Sequence, residues 1–364
     1  MGTLRGAVPE CARVCHDERV STVLRQSLGC RLRSVTGPLD DVETLADAVC
    51  TTVAVDVPFA FGCLATTDPS TGLITRAFKT HPLGIGDEEF AAAEYGDADV
   101  NQFADIAHRS DPVGVLSIDT AGQPENCRRF REFLKPRFGF TDELRVAFRG
   151  QGITWGVLAL YRGEGDEPFT ADDAQTLASV CEVVADAIRR ALFTTRSRDL
   201  HAGRGQAVVI VDADGRVRDM TAAARERIED LGGWESGSLP TSVLAVAAAA
   251  RTSADLATTR ALGRAGVWLT LRASTLNAPT ARPDVVITMD VAQGADISPL
   301  TLAARGLTAR EQDVAGLVLQ GASTRVIAMT LHLSPHTVQD HLKAIFTKTG
   351  VNSRREMIAE LLLT

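Results

Sequence analysis

The chain has 364 residues, of which 45% are hydrophobic and 23% charged, and its formal net charge is −8. This length favours two to three domains, and this composition is ordinary for a protein with an apolar core. The first twenty residues carry six charged side chains, and no stretch reaches the roughly 18 apolar residues of a membrane span. We therefore expect a cytoplasmic protein without a signal peptide or membrane segment.

Seven cysteines are an odd number for a sequence without an export signal, so we interpret them as reduced thiols. Cys11 and Cys15 precede His16, but three residues separate the two cysteines where a haem-attachment or zinc-knuckle motif has two. His81 and His108 stand alone and are interpreted as surface or satisfied polar residues. With no cluster of His and Cys, the sequence predicts no metal site and no cofactor.

The first predicted unit follows an N-terminal helical extension over 1–39, which ends at a Gly-Pro break. A helix is predicted from about Asp40 to Val53, because apolar residues recur at helical spacing after an acidic start. The next predicted elements, in order, are strands over 58–65 and 73–79, short helices over 88–95 and 101–108, and hairpin strands over 143–149 and 154–162.

A long amphipathic helix is predicted from Thr170 to Phe193. Thr170 is its expected N-cap, and Asp172 and Asp173 in the first turn favour the helix dipole. The apolar face is wide, which indicates packing against a sheet on one side and a partner helix on the other. The polar, basic stretch over 194–205 is interpreted as a domain boundary.

The second predicted unit begins at Ala207 with a buried-type strand, VVIV, and a turn into a second strand ending at Met220. A Gly/Pro/Ser-rich break separates a polar helix from an alanine-rich helix over 242–251. Two further strands, over 267–273 and 284–291, are expected to close the unit. The stretch that follows has no period, and residues 294–304 are interpreted as a linker.

The C-terminal segment carries helix-start and helix-stop signals in series. Thr308 and Glu311 form a predicted capping box before apolar residues at helical spacing, and Gly321 is a predicted left-handed helix end. Ser323 is expected to cap a short second helix whose apolar residues Val326, Ile327 and Leu331 face the core. Ser334 followed by proline is expected to start a third helix.

The third helix has two distinct faces. Val338, Leu342, Ile345 and Phe346 form its predicted buried face, with His341 and Thr349 beside them. The opposite face offers amide, carboxylate and ammonium groups, the types that read base edges in the major groove. From 298 onward the chain has seven basic and five acidic side chains, against 31 and 41 before it, which permits DNA binding at this end.

This segment resembles the LuxR-type (NarL/FixJ) helix-turn-helix in its L-T-x-R-E start, its I-A-x-x-L-x-L-S-x-x-T-V-x-x-H-L core and its K-x-G-V-x-x-R end, with Thr349 where a leucine is usual. The resemblance implies that a recognition helix enters the major groove. It implies base contacts by Gln339, Asp340 and Lys343. It also implies that Thr337, Lys348 and Arg354 lie near the DNA backbone. We expect Arg325 and His336 to contact the backbone as well.

The upstream units resemble two sensor folds. Residues 154–161 (TWGVLALY), the following PFTADD and the long helix resemble the end of a GAF domain, and VVIVDADGRV resembles a PAS-like strand pair. Both families often bind small molecules and both often only dimerise, so a ligand pocket and a purely structural role remain open. The predicted organisation is an extension over 1–39, a GAF-like domain over 40–196, a PAS-like domain over 203–293, a linker over 294–304 and a helix-turn-helix domain over 305–364.

The expected fold class is α+β sensor domains, with antiparallel sheets flanked by helices, followed by an all-α four-helix DNA-binding domain. Enzymatic function is not expected, because the sequence contains no Walker loop, dinucleotide fingerprint, nucleophile elbow or H-E-x-x-H motif. Our hypothesis is a homodimeric transcription regulator that binds double-stranded promoter DNA and responds to an unidentified signal or small-molecule effector. The alternative is a non-enzymatic signalling scaffold or anti-regulator that acts through protein contacts.

Overall fold

The computed structural model describes residues 28–37, 39, 41–83, 87–194, 205–234, 238–253, 256–276 and 283–362. Two antiparallel five-stranded sheets with flanking helices are followed by a helical C-terminal region. The predicted fold class is confirmed at that level. Most of the predicted N-terminal extension lies outside the described residues, and within it residues 28–36 form helix α1.

The first unit wraps helices around a sheet of order β2-β1-β5-β4-β3. Its strands are β1 (Phe61–Thr67), β2 (Ile74–Lys79), β3 (Val113–Val115), β4 (Asp142–Gly150) and β5 (Ile153–Arg162). Its further α-helices are α2 (Val42–Val53), α3 (Asp87–Glu94), α4 (Phe103–His108), α5 (Leu116–Asp119), α6 (Lys135–Phe138), α7 (Ala171–Ala178) and α8 (Cys181–Thr194), with a 3-10 turn at Pro124–Asn126 and a π-helix at Phe130–Leu134.

Side-chain alternation along the strands divides the core of this unit into two layers. Leu158 and Leu160 of β5 pack into one buried cluster with α1, α2 and α8, whereas Val157 and Tyr161 pack into a second cluster on the opposite face. The sheet is therefore covered on both faces. Trp155, predicted as a core residue, is 2% exposed.

The predicted hairpin is confirmed, with a two-residue turn between β4 and β5. Gln151 has φ 53° and Gly152 has φ 81°, so both central residues are left-handed, as a type I′ turn requires. The predicted helix over 170–193 is interrupted, because Ser179 and Val180 form a turn between α7 and α8. Its predicted N-cap is confirmed, since Thr170 and Asp173 form a reciprocal capping box.

A buried ionic network lies in the second layer. The Arg129 guanidinium contacts Glu143 at 2.5 Å, Arg145 Nε donates to the same carboxylate at 2.9 Å, and Arg145 Nη1 contacts Glu94 at 2.7 Å. Glu143 is buried, which by itself raises the pKa of a carboxyl group, but the two guanidinium groups hold the pKa of Glu143 below its usual value. Removing one member of such a network leaves a buried charge without its partner, so substitution of any one of these residues would destabilise the fold.

The second unit repeats the strand order of the first, with a sheet of order β7-β6-β10-β9-β8. Strand β8 was not predicted, because its sequence ATTRAL contains only one bulky apolar residue, Leu262, although Ala257, Thr259 and Ala261 are also buried. The elements are β6 (Val208–Val211), β7 (Val217–Met220), α9 (Ala222–Asp230), α10 (Thr241–Thr252), β8 (Ala257–Leu262), β9 (Trp268–Thr275) and β10 (Val285–Val291).

Residues 294–304, interpreted as a linker because they show no helical period, form helix α11 (Gly294–Ala304). At the start of the helix the N–H of Gln293 donates to Asp296 Oδ2 at 3.3 Å, and Asp296 also contacts Arg272 at 2.9 Å. Pro299 lies inside the helix and removes one backbone donor. Because proline is unusual inside a helix, the sequence did not predict this helix.

The two sheet-containing units are held together at a buried ionic contact. Asp68, which follows β1, accepts hydrogen bonds from Arg260 of β8 through the backbone N–H at 2.8 Å and Nη1 at 3.1 Å. Leu73 and Ala91 of the first unit also pack into the core of the second. The described residues contain no helix that is long and apolar enough to cross a membrane.

We expect Asp68→Ala to lower the free energy of unfolding by about 2–4 kcal/mol, because Arg260 would keep a buried charge without its partner. Urea denaturation followed by circular dichroism measures the change. Asp214→Ala is the control, since Asp214 pairs with Arg216 at 3.7 Å with both side chains more than two-thirds exposed, and a change within about 0.5 kcal/mol is expected. Equal shifts for both variants would contradict this account of the contact.

Candidate nucleic-acid interface

Four short helices form the C-terminal bundle around one apolar cluster. They are α12 (Ala309–Leu319), α13 (Thr324–Thr330), α14 (Pro335–Thr349) and α15 (Arg354–Leu362). Val314, Ile327, Val338, Leu342 and Ile345 supply much of the cluster, each no more than 2% exposed. The buried positions recur at spacings of three and four, so the helical interpretation of this segment is confirmed.

The predicted caps fix where each helix begins. Thr308 and Glu311 form the reciprocal capping box of α12, Ser323 Oγ accepts from the N–H of Val326, and Ser334 Oγ accepts from the N–H of Thr337 at 3.0 Å. Gly321 has φ 81°, a left-handed conformation that glycine adopts without strain. These local contacts therefore fix the first residues of α12, α13 and α14.

The three predicted base-reading side chains lie together on the exposed face of α14. Gln339, Asp340 and Lys343 are all exposed. The carboxylate of Asp340 lies 3.0 Å from His336 Nδ1 and 3.7 Å from Lys343 Nζ, so a potential cation flanks it on each side. Gln339 Nε2 donates weakly to Thr324 Oγ1 at 3.3 Å. The face thus presents an amide, a carboxylate and an ammonium group to solvent.

Three of the predicted backbone-contacting residues lie at the edges of this face. Arg325 on α13 is exposed and forms no ion pair with any residue that the structure describes. The side chain of His336 is 88% exposed at the start of α14. Thr337 is half-buried, and its hydroxyl lies 2.8 Å from Ser334 Oγ. His336 and Thr337 lie in the first turn of α14, and Arg325 follows Thr324, whose hydroxyl contacts the Gln339 amide.

The other two predicted backbone-contacting residues make internal contacts. Lys348 Nζ contacts the carboxylate of Glu311 at 2.7 Å and donates to the carbonyl of Gly306 at 3.1 Å. Arg354 donates to the carbonyl of Ala322 at 2.9 Å and to Thr324 Oγ1 at 2.8 Å. Both cations therefore hold the bundle together, which the sequence pattern did not reveal.

One predicted packing role changes in the structure, and a second is confirmed. Val326, expected to face the core, is 42% exposed, because helix α13 turns Ile327 and Ala328 inward instead. Thr349 is 7% exposed and lies on the buried side, as expected. Its hydroxyl donates to the carbonyl of Ile345 at 2.7 Å, which satisfies the polar group inside the core.

Sequence reasoning missed two arginines that support the bundle. Arg310 donates to the carbonyl of Leu331 at 2.5 Å and so ties α12 to the turn before α14. Arg305 donates to the carbonyl of Thr349 at 2.8 Å and contacts Glu360 at 2.5 Å. No local pattern marks these contacts, because their partners lie 21 to 55 residues away in the chain.

Comparison with known proteins places this bundle in a family. The family model for bacterial regulatory proteins of the luxR family matches residues 305–361. The spore germination protein GerE of Bacillus subtilis is 39% identical over 56 residues, which cover 76% of that protein and 15% of this chain. This chain belongs to the luxR family. Its membership rests on the C-terminal domain.

Two further matches of this luxR-family chain are less informative about the whole protein. The monoamine regulon transcriptional regulator of Klebsiella aerogenes is 45% identical over 53 residues, and the chain covers 23% of that regulator's length. A structure of the VqmA dimer of Vibrio cholerae aligns with 43% of this chain and 81% of that one, at 18% identity and a TM-score of 0.21. A TM-score of that size does not establish a common fold.

The cysteines upstream of the luxR-family domain do not form a reactive cluster among the residues that the structure describes. Cys181 is buried and Cys63 half-buried, and burial raises the pKa of each thiol to about 12. A thiol that stays protonated at neutral pH is a poor nucleophile and reacts slowly with oxidants. No group of three potential metal ligands occurs within the same described ranges.

The Glu311–Lys348 contact generates a prediction about stability. The ammonium group of Lys348 and the hydrogen bonds of Thr308 hold the pKa of Glu311 below its usual value of 4.5 despite burial. We expect Glu311→Gln to lower the free energy of unfolding by about 1–2 kcal/mol at pH 7, because the capping box and the ion pair both weaken.

The pH dependence follows from the lowered pKa. A carboxylate with a lowered folded-state pKa stabilises the fold above its unfolded value, and the stabilisation disappears as pH falls through the folded value. The difference between wild type and Glu311→Gln should therefore be constant above pH 4.5 and shrink below it. Chemical denaturation at pH 7, 5, 4 and 3.5 measures it. A difference that is equal at all four values would contradict the role of the charge.

Proposed function

We propose that this chain is a DNA-binding transcriptional regulator whose helix α14 enters the major groove and reads base edges. The observation that carries the proposal is the exposed strip of Gln339, Asp340 and Lys343 on the third helix of a luxR-family domain. An α-helix fits the major groove, where each base pair presents a distinct pattern of donors and acceptors.

Each side chain of the strip has a natural partner among the bases. The Gln339 amide matches adenine N6 and N7, the Lys343 ammonium matches guanine O6 and N7, and the Asp340 carboxylate accepts from cytosine N4. Asp340 also repels phosphates, so it contributes to sequence selection and reduces general affinity. A strip that carries both a positive and a negative charge therefore favours sequence-specific over non-specific DNA binding.

Contacts to the phosphates come from the edge of this face. Arg325, His336 and Thr337 surround the N-terminal end of α14, where backbone N–H groups also favour anions. Lys348 and Arg354 are proposed to contribute to DNA binding indirectly, by stabilising the bundle. Their internal contacts hold α12, α13 and α14 at fixed angles, so their removal would alter binding together with stability.

The upstream units are proposed to be GAF-like and PAS-like sensor domains of a homodimer. Their sheets share one strand order, which is consistent with two sensors of related architecture. Helix α8 is the proposed relay element, because the Arg189 guanidinium donates to the carbonyl of Ala304 at the end of α11. A signal that shifts these units between two arrangements would change how the two DNA-reading helices are presented.

The test is DNA selection with the full-length purified protein on random duplexes. We expect enrichment of a repeated half-site and an affinity that falls steeply as salt rises. The rival scaffold or anti-regulator predicts no enrichment and no salt-dependent binding. Failure of the purified dimer to bind any duplex at low salt would reject the proposal.

Two variants separate base reading from phosphate contact. We expect Lys343→Ala to weaken binding of the selected site by about 1–3 kcal/mol and to relax preference at one base position. Arg325→Ala should weaken all sequences equally and reduce the slope of log affinity against log salt by about 1. Both are exposed, so thermal stability should match the wild type. A uniform loss for Lys343→Ala would reassign that residue to the phosphate backbone.

A further inference from the structure

An open cleft lies between the two sheet-containing units. Its volume is about 600 Å³, within the range of roughly 300–1,000 Å³ that small-molecule sites occupy. One wall comes from α2 and β2 of the first unit, and the other from residues 231–233 and 238–241 of the second unit. We refer to it as the inter-unit cleft. It is separate from the DNA-reading face and from the interior of either unit.

Among the described residues that line the inter-unit cleft, carboxylates outnumber cations. These residues include three carboxylates (Glu43, Asp47 and Asp87) and two cations (Arg76 and Lys79). Lys79 pairs with Asp87 at 2.5 Å, and Arg76 lies 3.5 Å from Glu43. Asp47 has no ion pair with any other residue in the described part of the chain. The described lining therefore has one carboxylate more than it has cations.

The unbalanced charge is placed where a ligand could reach it. Asp47 and Glu43 are four residues apart on α2, so their side chains lie on the same side of the helix, one turn apart. Both are exposed, and the Glu43 side chain is 72% exposed. The Cys50 thiol at the cleft wall has its pKa raised to about 12, mainly by burial, with a contribution from the negative charge of Asp47.

Apolar groups line the space beside these carboxylates. Ala46, Phe78, Leu83, Leu231 and Leu239 all contribute to the walls. The guanidinium of Arg76 lies 4.8 Å from the centre of the Phe78 ring, so the cleft already holds one organic cation of the protein between a ring and a carboxylate. A second cation with an apolar body would find the same two kinds of partner.

We propose that the inter-unit cleft binds a small organic cation, an amine with an apolar body, whose ammonium group is held by Asp47 and Glu43. A ligand in this position contacts both units at once and stabilises the arrangement in which they are docked. This inference goes beyond DNA binding, and its readouts contain no DNA. Its failure would therefore leave the proposed DNA-binding function untouched.

The test compares probes that differ only in charge, on the full-length protein. Benzylamine, benzyl alcohol and benzoate form one series, and hexylamine, hexanol and hexanoate form a second. Thermal shift and titration calorimetry measure binding at pH 7.5. We expect the two amines to raise the melting temperature and to give a saturable heat, with weaker binding at high salt. The neutral and anionic members of each series should give neither.

Matched variants locate the site. Glu43→Gln combined with Asp47→Asn should weaken amine binding roughly tenfold, and Asp47→Asn alone about threefold. Asp172→Asn, which removes an exposed carboxylate from α7 away from the cleft, should leave the affinity unchanged. The melting temperature of each variant without ligand shows whether that variant folds. If the double variant does not fold, the result for Asp47→Asn alone decides the question. Equal binding of neutral probes, no response to either amine, or wild-type affinity in Asp47→Asn would each overturn the proposal.

Discussion

One helix joins the two sheet-containing units to the luxR-family helical bundle by packing into the cores of both parts. Leu302 of α11 lies in the apolar cluster of the helical bundle, whereas Ala303 and Ala304 lie in the cluster that α1, α2 and α8 form on the first sheet. The Arg189 guanidinium donates to the last carbonyl of this helix. A flexible linker would leave the bundle free to reorient, but a helix shared by two close-packed cores transmits movement of either one.

This arrangement makes the upstream units and the bundle mechanically dependent on one another. Asp68 and Arg260 hold the first unit to the second. Arg272 of the second unit contacts Asp296 of α11, and Arg305, which directly follows α11, contacts Glu360 of α15. A change at the inter-unit cleft would thus act on packed elements with few alternative positions. Such elements can carry coupling between distant sites when they have two discrete arrangements.

The predictions succeeded where local chemistry decides the structure. The capping boxes at Thr170 and Thr308 and the hairpin turn at Gln151-Gly152 depend on residues within a few positions, and the exposed face of α14 follows from helical spacing. The missed elements depend on tertiary packing, because β8 is built mostly from small and polar residues and α11 contains Pro299. The internal roles of Lys348 and Arg354 were equally hidden, since their partners are 30 to 42 residues away.

The placement of charge in this chain favours discrimination over affinity. A strongly attractive DNA surface would bind duplex of any sequence through phosphate contacts. Here the bundle is only mildly basic, the rest of the chain is acidic, and a carboxylate stands in the middle of the reading face between His336 and Lys343. In the proposed complex, the Asp340 carboxylate would weaken binding to every duplex by repelling phosphates and would offset that loss only where a base donates a hydrogen bond to its oxygens. In the proposed homodimer, two bundles on one duplex would offer more phosphate contacts than a single bundle does. The proposed regulation would act on that pair through the way the upstream units hold it.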